Sequence, residues 1–245
     1  MALRFVQVTK HYTNTRALAD FSLEVRPGEF FGVIGVNGAG KTTLLKSLLD
    51  FCSIDSGSIE IFGVPHRLTR ARARLAFLPE RFNPPFYLTG RDFLRYMFSL
   101  HRVAYDTMSV ERVFSALDLD IAALSKPARA YSKGMTQKLG LAACLLSGKE
   151  LLVLDEPASG LDPKARALFK QELVRLRDAR RTVFFSSHAL ADVEQLCDRL
   201  AVVHEGQLRF AGTPDALRRQ FGRGGDLEQA FLACIGEPEH ADTAA

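Results

Sequence analysis

The stretch "GVNGAGKT", Gly35–Thr42, fits the pattern G-x-x-x-x-G-K-[ST] and lies between the apolar run "FFGVIG" and the helix-like "GKTTLLKSLLD". In such a loop the backbone N–H groups of Gly35, Val36, Asn37, Gly38, Ala39 and Gly40 curl around a polyphosphate. Lys41 then reaches the β- and γ-phosphates, the Thr42 hydroxyl takes a Mg²⁺ coordination position, and Thr43 adds a contact to the α-phosphate. An accidental match in a chain of this size arises roughly once in a hundred. A strand before and a helix after make chance rarer still, so these residues predict a nucleoside triphosphate site.

A second group is "LLVLDEP", Leu151–Pro157. Four apolar residues ending in Asp155 predict a buried strand whose tip carries a carboxylate suited to Mg²⁺. Glu156 follows at once, placed to accept a proton from an attacking water. The plainer alternative is a pair of acids ending a strand in solvent, and the P-loop in the same chain weighs against it. A third group is "YSKGMTQKLG", where Ser132 is a good N-cap and Met135 and Leu139 follow at helical spacing. Gly134 is a poor helix former in a first turn, and a helix start with bare N–H groups is an anion site. The question is which anion this helix faces.

The elements that must hold these groups read as an α/β chain. "LRFVQVTKHY", "ALADFSLEV" and "FFGVIG" are β-like, with a Pro27-Gly28 turn before the third, and "GSIEIFG" and "RLAFLP" add short strands. From residue 82 to about 147 the pattern turns helical, with Phe93, Leu94, Met97 and Phe98 on one face. Strands then resume: "LLVLD" has the continuous apolar character of a central parallel strand, followed by "TVFFSS" and a strand pair around Glu205-Gly206. Asp162-Pro163 predicts an N-cap with proline at the first helical position. The expected fold is an α/β P-loop core with a mostly parallel sheet, a small antiparallel β part near the N-terminus and an inserted helical lobe. One domain is expected over about residues 1–235, with a core lobe at 1–81 and 148–220, a helical lobe at 82–147 and a frayed tail at 236–245.

Bulk properties narrow the classes. The 245 residues are 47% hydrophobic and 24% charged with a net charge of +4, which is ordinary globular composition. The densest apolar run, "LGLAACLL", is too short to cross a bilayer, and the N-terminal "MALRFVQVTK" has no signal-peptide core. A soluble cytosolic protein is expected, with any membrane role passing through a partner. Cys52, Cys144, Cys197 and Cys234 are far apart and predict reduced thiols rather than metal or redox chemistry. The basic run "RLTRARAR" could touch acidic lipid headgroups or nucleic acid, and the favoured reading is a solvated helical face.

With these motifs in hand, the chain resembles the nucleotide-binding subunit of an ATP-binding cassette (ABC) transporter over about residues 3–220. The resemblance rests on six elements in the family's order: Tyr12, "GVNGAGKTT", "LPE", "YSKGM", "LLVLDEPASGLD" and "SSH". It implies an ATPase that uses ATP and Mg²⁺, works as a dimer with a second ABC subunit, and drives a transmembrane permease from the cytoplasmic face of the membrane. "YSKGM" is similar to the family signature, and in the family that helix start meets the γ-phosphate held by the opposite subunit, through Ser132 and the backbone at Gly134. Position by position, the resemblance makes Tyr12 the residue that stacks on adenine. It makes Asp162 part of the loop linking the two sites, and His188 the switch histidine that hydrogen-bonds the γ-phosphate. Val36, Lys133 and Met135 depart from the usual proline, glycine and glutamine, and Glu80 replaces a glutamine that contacts Mg²⁺. Glu80 can still bind metal but donates no hydrogen bond and adds negative charge. "LPE" with "YSKGM" resembles the branch serving exporters with simple membrane subunits.

In "RFNPPFYLTG", Phe82, Phe86 and Tyr87 surround Pro84-Pro85, either as a groove for a partner helix or as the core of the helical lobe. A cytosolic ATPase acting on nucleic acid or ribosomes is the main rival. The absence of a long coiled coil, a helix-turn-helix pattern or a strongly basic arm argues against it, and no nucleic-acid partner is expected. A non-hydrolysing switch is a third reading, and the set Lys41, Asp155, Glu156 and His188 argues against a dead site.

Overall fold

The computed structural model describes residues 1–13, 15–222 and 226–236, so the expectation of a frayed tail beyond Gly236 lies outside the described residues. β1 (Leu3–Tyr12) and β2 (Thr15–Val25) pair antiparallel with Leu3 opposite Val25. β3 (Phe30–Ile34) is buried at every position and runs into the phosphate-type loop and α1 (Lys41–Leu48). β4 (Ser56–Ile61) and β5 (Val64–Pro65) complete a four-stranded antiparallel sheet of order β2-β1-β4-β5. The basic run is largely exposed, as expected, and forms a 3₁₀ helix at Thr69–Arg74 rather than an α-helix. Two of its arginines are committed to ion pairs, Arg72 with Asp50 and Arg74 with Glu150.

β6 (Leu75–Leu78) returns to the centre, and three helices follow: α2 (Gly90–His101), α3 (Thr107–Ala116) and α4 (Lys133–Leu145). Each starts at a side-chain cap, from Thr89, Asp106 and Ser132 respectively. Phe93, Leu94 and Phe98 are buried as the helical spacing predicts. The aromatic stretch before α2 divides: Phe82 packs edge-on to Phe93 with ring centroids 5.5 Å apart, whereas Phe86 and Tyr87 are 65% and 68% exposed.

The chain then alternates: β7 (Leu151–Asp155), α5 (Pro163–Asp178), β8 (Thr182–Ser187), α6 (Leu190–Leu196) and β9 (Arg199–His204). It closes with β10 (Gln207–Gly212), α7 (Pro214–Phe221) and α8 (Leu227–Ile235). The second sheet has the order β10-β9-β3-β8-β7-β6, parallel throughout except for the β10 edge. Its strands are apolar on both faces, as a sheet covered twice requires. In β8, Phe184 enters the core shared with β1 and α1, lying 6.2 Å from the Phe5 ring, while Phe185 enters the core under the helices. The strand tips Ile34, Asp155 and Ser187 therefore end at one edge, because β7 and β3 flank β8 in parallel register. Ligands of open α/β sheets bind at that edge.

Candidate functional site

At this edge a cleft of about 980 Å³ opens, lined by the whole loop Gly35–Thr43, by Glu80, Asp155 and Glu156, and by His188. The loop owes its shape to close backbone approach. Gly40 has φ +110°, and a Cβ there would sit 2.6 Å from the Ala17 carbonyl oxygen; one on Gly35 would sit 2.4 Å from the Val203 carbonyl oxygen. No side chain fits either position. Lys41, 8% exposed, donates from Nζ to the carbonyls of Gly35 at 2.5 Å and Val36 at 3.3 Å. Burial lowers its pKa, and the charges of Glu156, Asp155 and Glu80 oppose that fall. The ammonium is thus curled on its own loop, where a polyphosphate would replace the carbonyl partners.

The acidic side is organised by Ser186. Its buried Oγ donates to Asp155 Oδ1 at 2.5 Å and accepts from the Glu156 N–H at 2.9 Å. Asp155 is held above its ordinary carboxyl range by burial, opposed by the Ser186 hydrogen bond and reinforced by Glu80 and Glu156. A buried carboxylate crowded by two others suits a hard cation with oxygen ligands. Among the described residues no three His, Cys, Asp or Glu side chains converge as a ready-made metal site. Thr42, Asp155 and Glu80 line the cleft beside the phosphate-type loop, a sparse oxygen set that fits Mg²⁺, which takes few protein ligands and shares substrate phosphates. Glu156 adopts φ +48°, a left-handed conformation costly for a side-chain residue. Its Oε2 meets His188 Nδ1 at 2.8 Å and accepts from the His188 N–H at 3.3 Å. A carboxylate and an imidazole at the cleft mouth can take a proton from water and orient it.

Four expected site residues lie elsewhere. Ser132, Gly134 and Asp162 are not in the cleft: Ser132 caps α4 by accepting from Met135 N, and Asp162 caps α5 by accepting from Ala165 N. Tyr12 also lines no part of it. Its hydroxyl meets Cys52, which with burial raises its pKa against a lowering contact from Thr43, and Lys10 Nζ lies 5.3 Å from its ring. The hairpin end supplies Arg16 and Ala17 to the cleft instead. Sequence reasoning also missed Ser159, Ser187 and the α8 residues Glu228, Phe231 and Leu232, which reach the same cleft, and Ser186, which lies buried behind Asp155. Only Ser186 and Ser187 left a signal, as the serines of "SSH" beside a carboxylate-tipped strand. The α8 residues come close only through packing of α8 against α6, α7, β9 and β10.

The sequence pattern of the family described as "ABC transporter" matches residues 18–159, more than half of the chain. The chain belongs to the ABC transporter family. This ABC chain is 40% identical over 203 residues, 80% of its length, to an uncharacterized ABC transporter ATP-binding protein of Synechocystis sp.. It spans 56% of that relative's length. It is 39% identical over 223 residues to a Nod factor export ATP-binding protein I of Burkholderia pseudomallei, covering 87% of this chain and 71% of the relative. Its fold is similar to a solved ATP-binding subunit of an ABC transporter, with a TM-score of 0.87, 28% identity, and coverage of 96% of this chain and all of that one. The ABC cassette fold thus places the loop, the carboxylate pair and His188 at one cleft, and the Ser132 helix start outside it.

Proposed function

We propose that this chain binds ATP and hydrolyses it to ADP and phosphate, and that the cycle energises export through a separate membrane permease. The supporting observation is the Glu156–His188 pair, 2.8 Å apart, at the mouth of a cleft whose floor is the Lys41 loop. Glu156 takes the proton of the attacking water. Nδ1 of His188 faces Glu156, and Nε2 must carry a proton to donate to a phosphate oxygen. Lys41 leaves the carbonyls of Gly35 and Val36 for the β- and γ-oxygens, and Tyr12 stacks on the base at the cleft's flank. Thr42 and Asp155, with Glu80 nearby, would hold Mg²⁺, which would supply charge neutralisation at the phosphates.

Ser132 and Gly134 stand outside their own chain's cleft, so their partner is the terminal phosphate in a second cassette, identical or related. Asp162 begins α5 beside that contact and links the two sites. Such a clamp stabilises transition-state charge at the shared phosphate. Among the described residues no helix is long and apolar enough to cross a membrane. The membrane path is assigned to a separate permease, with this chain seated on the cytoplasmic face. The exposed Phe86 and Tyr87 lie on the helical lobe where such a partner would grip. The similarity to a Nod factor export protein supports the export direction. Steady-state phosphate release tests the reading. Wild-type chain turns over ATP, and Glu156→Gln lowers kcat by about 10²-fold or more while still binding nucleotide. Unchanged turnover in that variant refutes Glu156 as the base.

A further inference from the structure

The first turns of α4 meet the loop between β7 and α5 at four points on one helix face. The Lys133 stem lies along Gly160: its Cγ, Cδ and Cε are 3.7, 3.7 and 3.4 Å from where a Cβ on that glycine would sit. A Cβ on Gly134 would sit 3.3 Å from the Gly160 carbonyl oxygen. One turn on, Gln137, 5% exposed, donates from Nε2 to the Pro157 carbonyl at 3.2 Å. Lys138 Nζ stands 4.0 Å from Asp162 Oδ2. The same loop starts at Glu156 and passes Ser159, and both line the nucleotide-type cleft. One backbone segment thus touches the cleft on one side and the Ser132 helix start on the other.

Of the four contacts, the one from Lys133 depends on a departure from the family signature, where glycine is usual. A glycine there would remove the three side-chain atoms that come nearest to that position on Gly160. Lys133 is exposed, and its approach is made by methylenes that lie beside backbone with no side chain of its own.

We propose that Lys133 is a positioning residue: its aliphatic stem, seated on Gly160, makes the loop carrying Glu156 move as one body with the helix start offered to the partner cassette. The inference rests on the reading under Proposed function. Closure of Ser132 onto a partner's phosphate then sets Glu156 in its own cleft, so the two sites fire together.

Two measurements on the full chain test this. The first is the ATP dependence of hydrolysis for wild type, Lys133→Ala, Lys133→Met and Lys133→Arg. Lys133→Ala is expected to lower kcat about tenfold and bring the Hill coefficient towards 1, with nucleotide affinity of the lone chain unchanged. Lys133→Met keeps the stem without the charge and is expected to recover both within about twofold. The second is hydrogen exchange of residues 157–161 without nucleotide, which does not depend on hydrolysis. Exchange is expected to rise in Lys133→Ala and to stay at the wild-type level in Lys133→Met. A wild type without turnover refutes the hydrolytic reading, and the exchange result then decides this inference alone. Wild-type exchange in Lys133→Ala overturns the inference. So does a Lys133→Met chain as impaired as Lys133→Ala and recovered only by Lys133→Arg, which would assign the role to the charge.

Discussion

Ser186→Ala is the sharpest probe of the carboxylate side of the cleft. Ser186 is 0% exposed, and its Oγ joins Asp155 Oδ1 at 2.5 Å to the Glu156 N–H at 2.9 Å. Truncation leaves a buried carboxylate oxygen without its donor and a peptide N–H without its acceptor. A hydrogen bond to a charged group contributes about 1.5–3 kcal/mol, and an orphaned N–H costs about 1–3 kcal/mol. The two losses share one site and do not add, so about 2–3 kcal/mol of stability is expected to disappear at neutral pH. The pH dependence has a definite sign. Asp155 already holds its proton above the ordinary carboxyl range, and the Ser186 hydrogen bond favours the ionised form. Without that bond the pKa rises further, so the variant takes up a proton at a higher pH than wild type. A protonated Asp155 no longer needs the lost donor, and the stability deficit therefore shrinks as pH falls towards the carboxylate range. Urea unfolding at neutral and mildly acidic pH reads the first effect, and the Mg²⁺ concentration for half-maximal ATP turnover reads the second. The requirement for Mg²⁺ is expected to rise and kcat to fall about tenfold or more, because Glu156 loses an anchor. Equal unfolding midpoints together with an equal Mg²⁺ requirement would refute the argument.

Further outcomes follow from the same geometry. Asp155→Asn removes a buried charge whose folded-state pKa is raised, so without metal it should raise the unfolding midpoint at neutral pH. That gain should fade as acid protonates wild-type Asp155, and turnover should be lost throughout. Glu156→Gln with ATP and Mg²⁺ should accumulate as a nucleotide-bound dimer in size-exclusion chromatography, whereas a monomer at all nucleotide concentrations would contradict the clamp. Tyr131→Phe removes a hydroxyl that donates to the Ala123 carbonyl at 2.6 Å and should cost about 1 kcal/mol in urea unfolding. Desolvation raises that phenol to about 12, so no change in its ionisation is expected between pH 6 and 9.

What the sequence showed and what it hid separate along physical lines. The Lys41 loop and Asp155 were legible because strand, turn and helix types are encoded locally and the chemistry sits on strand tips. Ser132 and Asp162 were legible as helix caps for the same reason, and each caps its helix. The basic run was legible as a solvated stretch but its ion pairs were not, because arginine spacing says nothing of partners; Arg72 and Arg74 pair with Asp50 and Glu150 along a six-residue 3₁₀ helix. Phe82 and its neighbours could not be divided from the sequence, since exposure depends on where α2 packs. The Ser186 bridge and the approach of α8 are long-range facts of sheet register and helix docking. No spacing along the chain announces them.

The central claim is that each hydrolytic site is shared between two chains, and complementation of two inactive variants tests it most directly. Lys41→Ala disables the phosphate loop, and Ser132→Arg blocks the helix start. Each is expected to be inactive alone. Mixed in equal amounts, about half of the dimers would be mixed and would hold one intact composite site of two, so turnover should rise above that of either variant alone, to at most about a quarter of wild type. Full hydrolysis by Ser132→Arg chains on their own, as monomers, would contradict the account.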